Sequence, residues 1–347
     1  MAERVLARRT AVDFAFDGTD ITSDIKPYML ETVYTDDTDD MADDLKITVQ
    51  DRDGVWLENW LVDAVEAAAG EKLSIEAEIK PENWMRDGTL KTGKFEFDSV
   101  DCSGPPAVVT ISAGSLAFSG SMRQTKKSKV WQNCTLRDIA GEMAVTAGME
   151  LLYESEQNPS YDRVEQTEQS DIDFLRKLCE DAGISIKATD GKLVLYDQAV
   201  YEAKAPVLTI EKGANGGYIK YKLSSSSADT QYAKCRVSYT DPATGQCIEG
   251  TAEDGGVSGE QCLEITAKVG SAGEAEALAK KKLRAHNKLA KTAEFTLIGD
   301  VGLVAGVTVL LKGWGGWDGK YIVTRATHTV NGGGYTTQIR MRRVLSY

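Results

Sequence analysis

The 347-residue sequence predicts a mainly β chain, with a small α+β segment set between two β-rich ones. Three observations carry this expectation. Apolar and polar residues alternate over short runs through the first 120 residues and again through the last third, the period of strands buried on one face. Between them the apolar spacing switches to that of helices, with capping residues in front and glycines behind. Turns rich in Asp and Gly separate the runs, as in an antiparallel barrel or sandwich.

The elements follow in order. Residues 12–16, 45–49, 73–79 and 94–100 each alternate with a period of two and make a first β module over 1–120. After the lysine-rich stretch 126–129, Thr135 caps a helix from Leu136 to about Ala147, with Leu136, Ile139, Ala140 and Met143 on one face and Gly148 at its end. A second helix starts at Ser170 or Asp171 and stops at Gly183; strands at 184–188 and 193–196 flank the hairpin turn Asp190-Gly191. Residues 121–200 therefore read as an α+β domain. The remainder, 201–347, reads as a second β module interrupted by an amphipathic helix near 272–289.

Composition bounds the function. Hydrophobic residues make up 42% and charged residues 27%, ordinary for a folded protein. At roughly 150 residues per domain the length suggests two or three domains. The six cysteines form no Cys-x-x-Cys pair, so neither zinc nor a redox pair is expected, and reduced thiols in a cytosolic compartment are. No signal-peptide pattern and no run of roughly 18 apolar residues is present, which predicts neither general secretion nor a membrane-spanning segment. The net charge of −13 repels nucleic acid at long range, and an acidic channel lining would let DNA pass without adhering.

Catalytic and metal patterns are weak. Gly88 to Lys94 has the spacing of a phosphate-binding loop, but Phe95 follows the lysine and an alternating strand replaces the required helix. The acidic stretch from Asp36 to Asp44 lacks the order of a calcium loop and reads as a solvated loop. His286 and His328 belong to no zinc or esterase motif. No cofactor, metal or catalytic residue is assigned, although two carboxylates suffice for a glycosidase and their separation is not readable from sequence.

Three segments carry a resemblance. In the first, the strand from Asp44 ends in the turn Asp51-Arg52-Asp53-Gly54, followed by Trp56 and Trp60. In the second, Asp171 opens a helix containing Phe174 and Leu175 that stops at Gly183. The third holds a strand after Gly306, a Gly319-Lys320-Tyr321 strand running to His328, and a strand opening at Gly334-Tyr335. In this order they resemble the phage late control protein D family, baseplate hub proteins of contractile tails, and the hub part of the type VI secretion spike protein. The resemblance implies two tail-tube-like β-barrel modules flanking the α+β domain and a homotrimer forming a pseudo-sixfold ring. It implies contacts with the tail tube protein, central spike protein, baseplate wedge proteins and tape measure protein, and transient passage of DNA without specific binding. His328 is then a strand residue rather than a general base. The place implied is the tail baseplate of a phage or bacteriocin-like particle, assembled in the bacterial cytoplasm. Residues 131–140 also resemble the start of a LysM module, which keeps a cell-wall carbohydrate-binding or glycan-hydrolysing tail component as the alternative.

Overall fold

The computed structural model describes residues 7–38, 42–54, 56, 73–84, 86–115, 121–213, 217–226, 231–240, 245–257 and 259–345. The first segment gives β1 (Arg9–Phe16), β2 (Thr19–Asp20), the one-turn helix α1 (Thr22–Ile25), β3 (Met29–Asp37), β4 (Asp44–Gln50), β5 (Ser74–Glu82), β6 (Leu90–Ser103) and β7 (Val108–Ser115). The middle gives α2 (Ser121–Gln124), β8 (Lys126–Thr135), α3 (Leu136–Thr146), β9 (Glu150–Glu154), β10 (Ser160–Ser170), α4 (Asp171–Ala182), β11 (Ser185–Thr189), β12 (Lys192–Tyr196) and α5 (Gln198–Ala203). The last third gives β13 (Leu208–Glu211), β14 (Lys220–Ser225), β15 (Lys234–Thr240), β16 (Cys247–Glu253), β17 (Cys262–Thr266), α6 (Ala272–Asn287), β18 (Lys291–Ile298), β19 (Thr308–Lys312), β20 (Gly319–Asn331) and β21 (Gly334–Arg343). The chain is mainly β, as the alternation predicts.

The two β-rich ends share one 13-stranded sheet, with main order β14-β18-β21-β20-β3-β4-β7-β6-β5-β1-β2. β20 makes the join. Its first half pairs with β19, which carries β13; after a bulge between Val323 and Arg325 its second half pairs with β3 along the same edge. No sheet closes on itself among the described residues. One face of the sheet buries the alternating apolar residues, among them Phe14, Ile47, Ile79, Phe95 and Ile111 in one core and Phe295, Val309, Val323 and Ile339 in another. The opposite face is polar: paired across successive strands, one row reads Lys220, Thr296, Gln338, Thr327, Thr35, Asp44 and Gly114.

The α+β segment has its own core, in which α3 and α4 cover the sheet β11-β12-β9 and Trp131 stacks on Phe174 with ring centroids 5.4 Å apart. Its local signals are read correctly. Thr135 and Asp138 form a reciprocal capping box, Ser170 caps α4, and Gly183 takes the left-handed conformation at φ 68° that ends it. The turn Asp190-Gly191 also has positive φ at both residues, as a two-residue hairpin requires.

Within 201–347 the structure separates a unit that the alternation did not. β16, β15 and β17 form a three-stranded sheet covered on one face by α6, with Cys235, Val237, Ala275, Ala279 and Leu283 between them. Gly250 on β16 allows the close approach, since a Cβ there would lie 2.2 Å from the backbone nitrogen of Glu276. This unit touches the α+β segment, where the stem of Lys281 lies over Gly183 and its ammonium reaches the Ala182 carbonyl.

Candidate functional site

The largest departure from the sequence reading lies in the acidic stretch 36–44. Asp39, Asp40 and Met41 are outside the described residues, but Asp36, Asp37 and Asp43 are buried rather than solvated. The physical reason is the position of β3 at the middle of the sheet, between β20 and β4. Both ends of the acidic run are thereby drawn under the α+β segment. There Lys187 of β11 bonds the Asp36 carboxylate and lies 3.1 Å from Asp43, while Arg325, at the β20 bulge, bonds Asp37. The second Asp36 oxygen accepts from the Ala305 amide at 2.9 Å, and Asp43 accepts from the Asp37 amide at 3.0 Å. Thr38 donates both its amide and its hydroxyl to the Thr324 carbonyl. Ala42 and Ala188 form a parallel bridge beside them.

Three buried carboxylates thus meet two cations, Lys187 mostly buried and Arg325 about a third exposed. Burial raises the Asp43 carboxyl to about 6, Lys187 pulls it back down and Asp36 adds to the rise. Burial acts to lower the Lys187 ammonium, but Asp36 and Asp43 outweigh it and hold it above its ordinary value. A second fastening uses Glu202 of α5. Its carboxylate accepts from Arg342 of β21 at 2.5 Å and from Arg284 of α6, and Gln198 takes a further Arg342 bond at 2.8 Å. Each of these ion groups joins elements distant in sequence.

The residues singled out from the sequence fall in three places. Asp44 opens β4 and is exposed; Asp51 is buried and accepts from the Trp56 amide at 3.1 Å, Gly54 turns the chain at φ 70°, and Trp56 is buried edge-on to Tyr28. Trp60 lies outside the described residues. Asp171 is buried at the start of α4, held by Lys127 and by the Gln166 amide, while Phe174 and Leu175 fill the α+β core. Gly306, Gly319 and Gly334 all have positive φ, and the buried Tyr321 donates its hydroxyl to the Trp317 carbonyl at 2.9 Å.

His328 and Tyr335 are brought together. His328 is fully buried, stacked between Tyr34 and Tyr335 at 5.9 Å from each. Its Nε2 lies 3.0 Å from the Leu303 carbonyl, which only accepts, so Nε2 carries the proton and Nδ1 accepts from the Tyr335 hydroxyl at 2.7 Å. Burial lowers its pKa to about 4, which keeps the ring neutral. Among the described residues no group of three or more His, Cys, Asp or Glu is placed to hold a metal ion. The Gly88–Lys94 stretch runs into β6, with no helix behind it.

His328 and Asp43 give opposite pH dependences. The His328 contribution is complete above 6.5 and is lost as pH falls towards 4, by about 3 kcal/mol at 1.36 kcal/mol per unit. Asp43 has the reverse sign: its contribution is complete below 3.8 and is lost as pH rises through about 6. The two groups therefore push the urea unfolding midpoint of the intact chain in opposite directions across this window. His328→Gln should leave a midpoint that falls with rising pH, and Asp43→Asn one that rises. Parallel profiles for the two variants would contradict both assignments.

The fold is shared with solved tail proteins. The prophage MuSo2 43 kDa tail protein from Shewanella oneidensis superposes with a TM-score of 0.69 over 96% of this chain and 98% of that one, at 15% identity. The E. coli c3393 protein, a component of the type VI secretion system structurally similar to the T4 tail proteins gp27 and gp5, gives 0.56 over 99% of this chain and 76% of that one, at 11% identity. In sequence, the phage tail baseplate hub (GPD) family model matches residues 116–334, and the chain belongs to that family. The probable baseplate hub protein of Escherichia phage P2 is 29% identical over 180 residues, 51% of this chain. That match spans 43% of the P2 protein, less than half its length.

Proposed function

We propose that the chain works as a homotrimeric hub of a contractile tail, joining a sixfold tail tube to a threefold central spike and enclosing the channel between them. The observation that carries this reading is the single open sheet built from both β-rich ends. Each chain supplies two β modules side by side, so three chains supply six, and a ring of them covers sheet edges that a single chain leaves open. The polar face of the sheet, rich in threonine, lines the channel, so that DNA meets hydroxyls and cross-strand charge pairs rather than the acidic wall expected from net charge. The α+β unit faces outward, towards wedge proteins, and the tape measure protein occupies the channel before DNA passes. The role is mechanical, without bond chemistry, in a particle assembled in the bacterial cytoplasm.

Light scattering with electron microscopy of the purified chain tests this. The expected result is a species of three times 37.7 kDa that images as a ring with a central hole. A chain that stays monomeric both alone and with its neighbouring spike protein would overturn the reading.

A further inference from the structure

Among the described residues, two of the sheet's open strand edges match each other. Among the described residues β14 has β18 on one side and no strand on the other. β6 carries β7 from Phe95 to Ser103, but β5, which begins at Ser74, accompanies it only as far as Glu96. Among the described residues, 98–103 of β6 therefore form a second open edge. Exposed apolar side chains flank the first, with Ile219 60% and Tyr221 49% exposed. Such an edge invites pairing and is ordinarily covered.

The strand count fixes the direction of a partner. From β14 to β6 the order is β14-β18-β21-β20-β3-β4-β7-β6, and every neighbouring pair is antiparallel. The number of strands is even, so β14 and β6 run in opposite senses. In a second copy rotated about an axis along the strands, β14 arrives antiparallel to the first copy's β6, continuing the alternation without a break.

The side chains agree with that geometry. Lys220 and Lys222 are exposed on β14, and Asp98 and Asp101 are exposed on β6. Lys222 lies opposite Glu294 and Asp101 opposite Thr110, which places both on the polar face. Tyr221 and Leu223 lie opposite Phe295 and Ala293, and Val100 and Cys102 opposite Ile111 and Val109, on the core face. Setting Asp101 against Lys222 brings Val100 against Leu223 and Cys102 against Tyr221. Opposite charges then meet on one face and apolar groups on the other.

We propose that the β6 edge at Asp98–Ser103 receives β14 of a second copy of this chain, antiparallel, with Asp101 opposite Lys222 and Cys102 opposite Tyr221. This rests on the hub reading and names the seam of its ring. Tyr221→Cys in the full chain places a thiol across from the native Cys102. Mild copper-phenanthroline oxidation should convert most of the protein to linked dimers and trimers on non-reducing gels. The unsubstituted chain should give none, and adding Cys102→Ser should abolish them, which excludes the exposed Cys247 and Cys262 as their source. Lys222→Asp should remove the trimer peak, and Lys222→Asp with Asp101→Lys should restore it. A trimer that forms without the Cys102-dependent link overturns the seam and leaves the hub reading standing. A chain monomeric at high micromolar concentration, alone and with its spike, overturns both.

Discussion

Lys187→Met destabilises the chain by about 3–5 kcal/mol at neutral pH, the cost of stranding buried charge by removing one partner. Lys187 is the only cation in contact with both Asp36 and Asp43 among the described ion pairs, and its side chain is 13% exposed. Methionine matches its stem but leaves two carboxylates facing each other. One neutralises by taking a proton, which makes the loss smaller in mild acid than at neutral pH. Urea unfolding at both acidities checks the difference. Adding Asp36→Asn and Asp43→Asn to Lys187→Met should recover most of the stability, because the neutral set no longer carries unpaired charge. A Lys187→Met midpoint equal to that of the unsubstituted chain would mean that the junction contributes nothing.

Glu202→Gln is expected to cost a similar amount, about 3–5 kcal/mol, by leaving the buried Arg342 without a counter-ion. Glutamine keeps an acceptor for one guanidinium but removes the charge that serves both Arg342 and Arg284. Arg342 is 3% exposed and cannot turn to water, whereas Arg284 can. Arg342→Met should therefore partly rescue Glu202→Gln, and Arg284→Met should rescue it less. Thermal unfolding of the four proteins separates these outcomes.

Much of the fold is legible in the sequence because its signals are local. Thr135, Ser170 and Gly183 set the ends of α3 and α4, and Asp190-Gly191 sets the β11–β12 turn, each within a few residues of the element it bounds. β3 escapes notice because its inward positions Thr32, Tyr34 and Asp36 are polar or amphipathic, so its alternation does not look apolar. β8 and β10 escape because they pair as a two-stranded ribbon with largely polar residues. The junction is the least legible feature. Lys187 lies 151 residues from Asp36, and Arg325 lies 288 from Asp37. Long-range pairing leaves no mark on the spacing along the chain, and an acidic run reads as solvated until the strands beside it are known.

The β3–β20 pair also sets a schedule. Thr35 and Thr327 lie side by side across it although 292 residues separate them. At about 5–20 residues per second, β3 leaves the ribosome roughly 15–60 s before its partner. The α+β unit, contiguous in sequence and carrying Lys187, leaves the ribosome within that interval. Through the wait, the far end of β3 presents Asp37 without the Arg325 that later joins it, beside Asp36. Like charges on that edge keep two nascent chains from pairing through it. The carboxylates that fasten the finished molecule are thus also charges on an edge that waits for the chain's own C-terminal strands.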